Sequence, residues 1–94
     1  MTRSELVRTV ADRCGVPRAL AAQAVRTMFA EMAAALREGR RVEIRGFGVF
    51  EVRRHAARVG SDPRTGEPLA VPSRRHPLFH AGRALRARIQ AGTS

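Results

Sequence analysis

Arginine supplies most of the chemistry open to this chain. The 94 residues include 18 basic and 8 acidic side chains, for a net charge of +10 at neutral pH, and every basic residue is Arg. A guanidinium keeps its charge at any physiological pH and offers a planar fork of donors suited to phosphate oxygens and base edges. An excess of this size implies a polyanionic partner: DNA, RNA or an anionic membrane surface. Other reactive groups are sparse. His55, His76, His80 and Cys14 follow no ligand spacing, so no metal is expected. Gly46-x-Gly48 lacks the pattern of a dinucleotide loop opening a helix, and neither a Ser–His–Asp set nor paired carboxylates can be assembled. No cofactor, small-molecule substrate or catalysis is expected; a metal-dependent nuclease, the enzyme alternative, would lack its ligands.

The charge is unevenly placed. Residues 1–39 hold six Arg against Glu5, Asp12, Glu31 and Glu38, a net of +2, whereas residues 40–94 hold twelve Arg against Glu43, Glu51, Asp62 and Glu67, a net of +8. The first part is suited to packing and the second to contact with an anion. The opening MTRSELVRTV has no long apolar run of the signal-peptide kind, and no stretch could span a bilayer. A single cysteine permits no internal disulfide and fits a reducing compartment. A cytoplasmic protein without membrane attachment is therefore expected.

The elements that must position the arginines follow from periodicity. Thr2 and Glu5 have capping-box spacing. Leu6, Val7, Val10, Ala11 and Cys14 then recur at helical intervals up to a stop at Gly15, with Cys14 expected to pack as a small hydrophobe. Pro17 suits the first turn of a second helix, whose stripe Leu20, Ala21, Ala24, Val25, Met28, Phe29, Met32 and Leu36 runs to Gly39. A stripe this wide needs more partner surface than one short helix offers, which points to a dimer. After Gly39 the period becomes two: Val42 and Ile44 alternate with Arg41, Glu43 and Arg45. Gly46-Phe47-Gly48 permits a tight reversal with Phe47 turned inward, and Phe50 and Val52 continue a second strand. Residues 53–75 are poor in apolar side chains and punctuated by Gly60, Pro63, Gly66, Pro68 and Pro72. Strand character returns at Leu69 and Val71, so the segment reads as a hairpin with its tip at Ser61–Gly66. Leu78 and Phe79 rejoin the core, and Gly82 precedes a short helix bearing Leu85 and Ile89.

That hairpin has too little apolar surface to pack against its own protein. Its six arginines, Arg53, Arg54, Arg58, Arg64, Arg74 and Arg75, mark it as an arm that engages an anionic ligand. At about 3.3 Å per residue, Phe50 to Pro63 reaches roughly 40 Å. One domain is expected over residues 1–94, with a body of 1–52 and 76–94 and an arm of 53–75.

Two helices, then RVEIRGFGVFEVR, an Arg-rich arm with the tip Pro63-Arg64-Thr65-Gly66, then PLFHAGRALRARI: this order resembles the bacterial HU and integration host factor family over nearly the whole chain. Gly46-Phe47-Gly48-x-Phe50, Arg58, Gly60, the tip, Phe79 and Gly82-Arg83 carry the resemblance. It implies an α+β fold: two N-terminal helices, a three-stranded antiparallel sheet extended into a long β-arm, and a short C-terminal helix, assembled as an intertwined dimer. The dimer core is expected at Met28, Phe29, Met32, Leu36, Ile44, Phe47, Phe50 and Phe79. The implied partner is double-stranded DNA, bent by a nucleoid-associated protein whose arms embrace the minor groove. Pro63 would wedge between base pairs, an apolar ring that unstacks a step while arginines hold the bent phosphates.

The resemblance places DNA contacts on the arm at Arg53, Arg54, Arg58, Gly60, Ser61, Pro63, Arg64, Thr65, Gly66, Arg74 and Arg75, with His76 at its base. On the body it places them at Arg3, Arg45, Gly46, Gly48, His80, Arg83 and Arg86. This chain departs from the family at Ser61 and Asp62, where Arg or Lys and then Asn usually precede the tip proline. The Asp62 carboxylate is expected to weaken or shallow the tip's insertion. It departs again at His80 and Ala81, where a basic residue and proline are frequent. Glu43-x-Arg45 resembles the strand of integration host factor beta subunits, with Glu43 orienting the Arg45 guanidinium; an ordinary solvated strand face explains the same pattern. Homodimers and heterodimers with a paralogue both occur in the family. An integration-host-factor type subunit with sequence-specific binding and an RNA-binding, ribosome-associated structural protein are the alternative readings.

Overall fold

The Thr2 hydroxyl accepts the Glu5 N–H at 3.1 Å and so starts helix α1, Arg3–Cys14, in the computed structural model of the chain, which describes residues 1–92. The Gly15 N–H closes α1 onto the Ala11 carbonyl. Helix α2, Arg18–Arg37, follows, with the Pro17 carbonyl accepting the Ala21 N–H at 3.1 Å. The chain divides into two compact units, Met1–Ala35 and Leu36–Ser94. The core of the first is small: Val7, Ala11, Ala21 and Val25, with Leu6, Val10, Val16 and Ala22 packed against it.

Cys14 departs from its expected place and is exposed. Val16, just beyond the helix end, folds back onto the core instead, and a branched aliphatic side chain there removes more apolar surface from water than a thiol. Leu20, Met28 and Phe29 of the α2 stripe also stay exposed, so the stripe is wider than the α1–α2 core uses.

The second unit holds strands β1 (Val42–Ile44), β2 (Gly48–His55), β3 (Arg58–Ser61), β4 (Pro68–Val71) and β5 (Arg74–Ala81), followed by helix α3, Arg83–Ala91. Strands β1, β2 and β5 form an antiparallel sheet with β2 in the middle, and β3 and β4 form a separate two-stranded ribbon. The fold is thus α+β as expected, but the ladder is not continuous from sheet to arm. Gly48 pairs with Ala81 and His55 with Arg74; Arg58 pairs with Val71 at the same offset. No residue is inserted in either strand. Pairing lapses opposite Pro72, which has no N–H to donate, and resumes in register beyond it.

The Gly46-Phe47-Gly48 reversal explains both glycines. Gly46 sits at φ +80, a conformation that costs side-chain-bearing residues about 1–2 kcal/mol. At Gly48 a Cβ would lie 2.5 Å from the His80 carbonyl oxygen and 2.6 Å from the Phe79 ring, so β2 and β5 could not close. Phe47 is 43% exposed rather than turned inward; its ring rests 5.5 Å from that of Phe79, which in turn lies 4.6 Å from Phe50. Overpacking of this kind typically costs about 1–3 kcal/mol. Gly48→Ala is expected to lower the urea midpoint accordingly with an unchanged m-value; an unaltered midpoint would show that β5 yields freely.

Candidate nucleic-acid interface

Pairing register sorts the ribbon's side chains onto two faces, because directly opposed residues of an antiparallel pair share a face. Phe50/Phe79, Val52/Pro77 and Arg54/Arg75 lie on one. Val49/His80, Glu51/Leu78, Arg53/His76 and His55/Arg74 lie on the other. Farther out, Arg58/Val71 and Gly60/Leu69 continue the first face, and Val59/Ala70 and Ser61/Pro68 the second. Val59 is 75% and Leu69 50% exposed, as expected of an arm without an apolar partner in its own chain. Ala57, Val59, Ala70 and Pro72 line a shallow, mainly apolar concavity of about 400 Å³.

The arm arginines are not equivalent. Arg75 is exposed but already engaged within its own chain. Its Nη2 donates to the carbonyls of Leu36 at 3.4 Å and Arg37 at 2.9 Å, capping the last turn of α2, where unpaired carbonyls concentrate negative charge. Arg53 is partly engaged, donating to Glu51 Oε1 at 3.0 Å, and the same oxygen faces His80 Nε2 at 3.3 Å. The Arg53 hydrogen bond, followed by that of His80, holds the Glu51 carboxyl below its ordinary value. Among the described residues, Arg54, Arg58, Arg64 and Arg74 have no ion-pair partner and are exposed. These four guanidiniums are the free cations of the ribbon.

At the tip, the Asp62 carboxylate accepts the Arg64 N–H at 2.8 Å. The Asp62 N–H donates to the Glu67 carbonyl at 2.8 Å, and the Gly66 N–H to the Asp62 carbonyl at 2.7 Å. Three bonds through one residue hold Pro63 exposed at the turn. Asp62 therefore braces the tip through an Asx-type turn, a role that its charge alone does not encode.

On the body of the second unit, the β1–β2 turn and the start of α3 enclose a concavity of about 300 Å³ bordered by Arg45, Gly46, Gly48 and Arg83. The Gly82 N-cap makes no side-chain hydrogen bond, which leaves first-turn N–H groups available to an anion. Arg86 is exposed one turn further along. Arg45 lies in the turn beyond β1, and the ion pair of Glu43 is with Arg41, at 3.9 Å. The expected Glu43–Arg45 pairing is not formed, because β1 ends at Ile44 and the turn carries Arg45 out of strand alternation.

The helical unit holds a basic groove that the sequence reading missed apart from Arg3. Arg3, Ser4 and Arg8 of α1 and Arg18, Ala22 and Arg26 of α2 line a concavity of about 290 Å³. Spacing held the signal: positions 18, 22 and 26 fall on one helical face. Among the described residues, no three His, Cys, Asp or Glu side chains converge as metal ligands, and no helix is long and apolar enough to cross a membrane.

A small helical unit, and a sheet that runs out into an exposed, guanidinium-bearing ribbon tipped by proline, define an α+β protein whose charged surfaces suit a polyanion. A family model described as "Bacterial DNA-binding protein" matches residues 1–90, and the chain belongs to this family, that of HU and the integration host factor subunits. It is 40% identical over 90 residues to DNA-binding protein HU of Geobacillus stearothermophilus, covering 96% of this chain and 100% of the relative. It is 42% identical over 96 residues to integration host factor subunit beta of Alkalilimnicola ehrlichii, covering 98% and 93%. Among solved structures, an Anabaena HU–DNA cocrystal structure superposes with a TM-score of 0.84 at 33% identity, covering 98% of this chain and 100% of that one. HU from Thermotoga maritima superposes at 0.66 with 25% identity, over 95% and 98%.

Proposed function

We propose that this protein is a non-catalytic architectural protein of the bacterial nucleoid, acting as a homodimer that binds double-stranded DNA in the minor groove and bends it. The observation that carries this reading is the ribbon: Arg54, Arg58, Arg64 and Arg74 lie exposed without a counter-charge among the described residues, beside a proline presented at its tip. Guanidiniums on a ribbon track the sugar–phosphate walls of a groove, and the apolar Val59 and Ala70 suit its floor. The relative that superposes at a TM-score of 0.84 is a DNA complex, which supports the partner. Arg45, Arg83 and Arg86, and the groove of Arg3, Arg8, Arg18 and Arg26, offer further phosphate contacts.

Dimerisation rests on apolar surface that the single chain leaves in water. Met28 is 60%, Phe29 48%, Ile44 38%, Phe47 43% and Phe79 43% exposed. Full burial of such a side chain contributes roughly 1.5–3 kcal/mol, so covering half of each of these in two subunits is a substantial driving force. Met32, Leu36 and Phe50 are half-buried and complete the expected dimer core.

Bending a site of 20–30 base pairs costs on the order of 1–6 kcal/mol, and unstacking one step by an inserted ring localises that cost. Fluorescence-detected bending of a short duplex tests the wedge. Pro63→Ala is expected to reduce the bend while leaving most of the arginine-dependent affinity. An unchanged bend would remove the wedge role, and preference for structured RNA over duplex DNA in direct competition would overturn the DNA reading itself.

A further inference from the structure

All three histidines of the chain stand on one face of the β2–β5 pair. His80 lies opposite Val49, His76 opposite Arg53, and His55 opposite Arg74. The rings of His55 and His76 meet edge to face with centroids 4.5 Å apart. Histidine is the side chain whose charge changes between pH 5 and 8, and three of them aligned at the base of the arm are not needed for packing: His55 and His80 are exposed and His76 half-buried. The charged groups sharing this face are Arg53, Arg74 and Glu51. Strand β1, alongside, adds Glu43, which pairs with Arg41. With neutral histidines, Arg53, Arg74 and Glu51 sum to +1; with all three histidines protonated the face reaches +4.

We propose that this histidine-bearing face couples DNA binding to proton uptake, so that the grip of the arm base on the duplex tightens as pH falls from 8 towards 6. The proposal rests on the reading of the ribbon as a DNA-binding arm and concerns its regulation. Protonating both His55 and His76 in the free protein sets two like charges side by side, between Arg53 and Arg74. A phosphate laid across the pair removes that repulsion, so binding and protonation favour each other. His80 acts through Glu51. A cationic imidazole 3.3 Å from the carboxylate satisfies it and releases Arg53, now held at 3.0 Å, towards phosphate. Glu51 stays ionised throughout this window, because Arg53 and His80 hold its carboxyl below the usual range. The charge gained at low pH therefore comes from the imidazoles.

The test is a titration of the full chain against a duplex of about 30 base pairs at pH 8 and pH 6, at equal ionic strength. Uptake of one proton per complex strengthens binding about tenfold per pH unit where uptake is complete. An affinity gain of at least about tenfold is expected across the two pH values. The salt slope should also steepen at pH 6 by up to about 0.9 for each imidazolium set on a phosphate. Calorimetry in two buffers of different ionisation enthalpy should record net proton uptake on binding near pH 6.5. The combined variant His55→Gln, His76→Gln, His80→Gln, checked by thermal melting for retained fold, should lose most of the pH gap and of the proton uptake. Equal wild-type affinity at both pH values with no proton uptake, or a pH gap that survives in the variant, would overturn the proposal while leaving DNA binding intact. Absence of binding at either pH would take the underlying reading down with it.

Discussion

Raising the salt concentration from 50 to 200 mM at constant pH is expected to weaken duplex binding about ten-thousand-fold. The ribbon presents four arginines without a counter-charge among the described residues, Arg54, Arg58, Arg64 and Arg74, so the proposed dimer presents eight. Each guanidinium seated on a phosphate releases condensed counterions, and affinity falls with a logarithmic slope of about −0.9 per phosphate. Eight contacts correspond to a slope of roughly −7, and a fourfold rise in salt then removes about four orders of magnitude. Arg75 and Arg53 are left out of this sum because carbonyls of α2 and the Glu51 carboxylate hold them. Fluorescence anisotropy at several salt concentrations measures the slope directly. A value shallower than about −3 would mean that the arms do not lie along the phosphates. Arg58→Gln should reduce the slope by about two, one contact from each subunit, whereas Arg75→Gln should leave it nearly unchanged and lower the melting temperature instead.

Phe29→Asp is expected to abolish the dimer at micromolar concentration. Phe29 is 48% exposed in the single chain, next to Met28 at 60%, on a helix whose own core uses only Ala21 and Val25 as buried positions. In the proposed dimer those side chains move out of water. Replacing one by a carboxylate forfeits roughly 2 kcal/mol of burial in each subunit and adds the larger cost of desolvating a charge that has no counter-ion there. Sedimentation velocity separates the outcomes: the wild type as a single species near twice the 10.3 kDa chain mass, the variant as monomer or unfolded chain. Phe29→Leu, which keeps the apolar surface, should sediment as a dimer. A Phe29→Asp protein that remains dimeric would place the interface elsewhere on the surface.

Asp62 shows how a residue can be identified correctly while part of its role stays hidden. Its charge is visible in the sequence, and the expectation of repulsion from phosphate follows from charge alone. That its oxygen accepts the Arg64 N–H at 2.8 Å and so braces Pro63 depends on a turn geometry that charge does not encode. Cys14 is a parallel case. Helical spacing places it in line with Val7 and Ala11, yet Val16 from beyond the helix end covers that part of the core, and no periodicity describes a chain that has left its helix.

Local rules sufficed where one residue's covalent nature dictates the outcome. Thr2 starts α1 and Gly46 makes the reversal. Alternation marks Val42 and Ile44 as strand, and the scarcity of apolar residues between positions 53 and 75 leaves a ribbon with little of its own to pack upon. Tertiary structure alone decided which charges remain available. Arg54 and Arg75 are indistinguishable as letters and lie directly opposite each other in the ladder, but only Arg75 finds a carbonyl within 3 Å. Likewise, His76 and His80 share a face of β5 by spacing alone, but His55 joins them only when antiparallel pairing sets β2 beside that strand. Hydrogen bonds and ion pairs act over a few ångströms, whereas sequence spacing reports distance only within a single helix or strand. Partnerships between distant residues therefore exist only once the register is set.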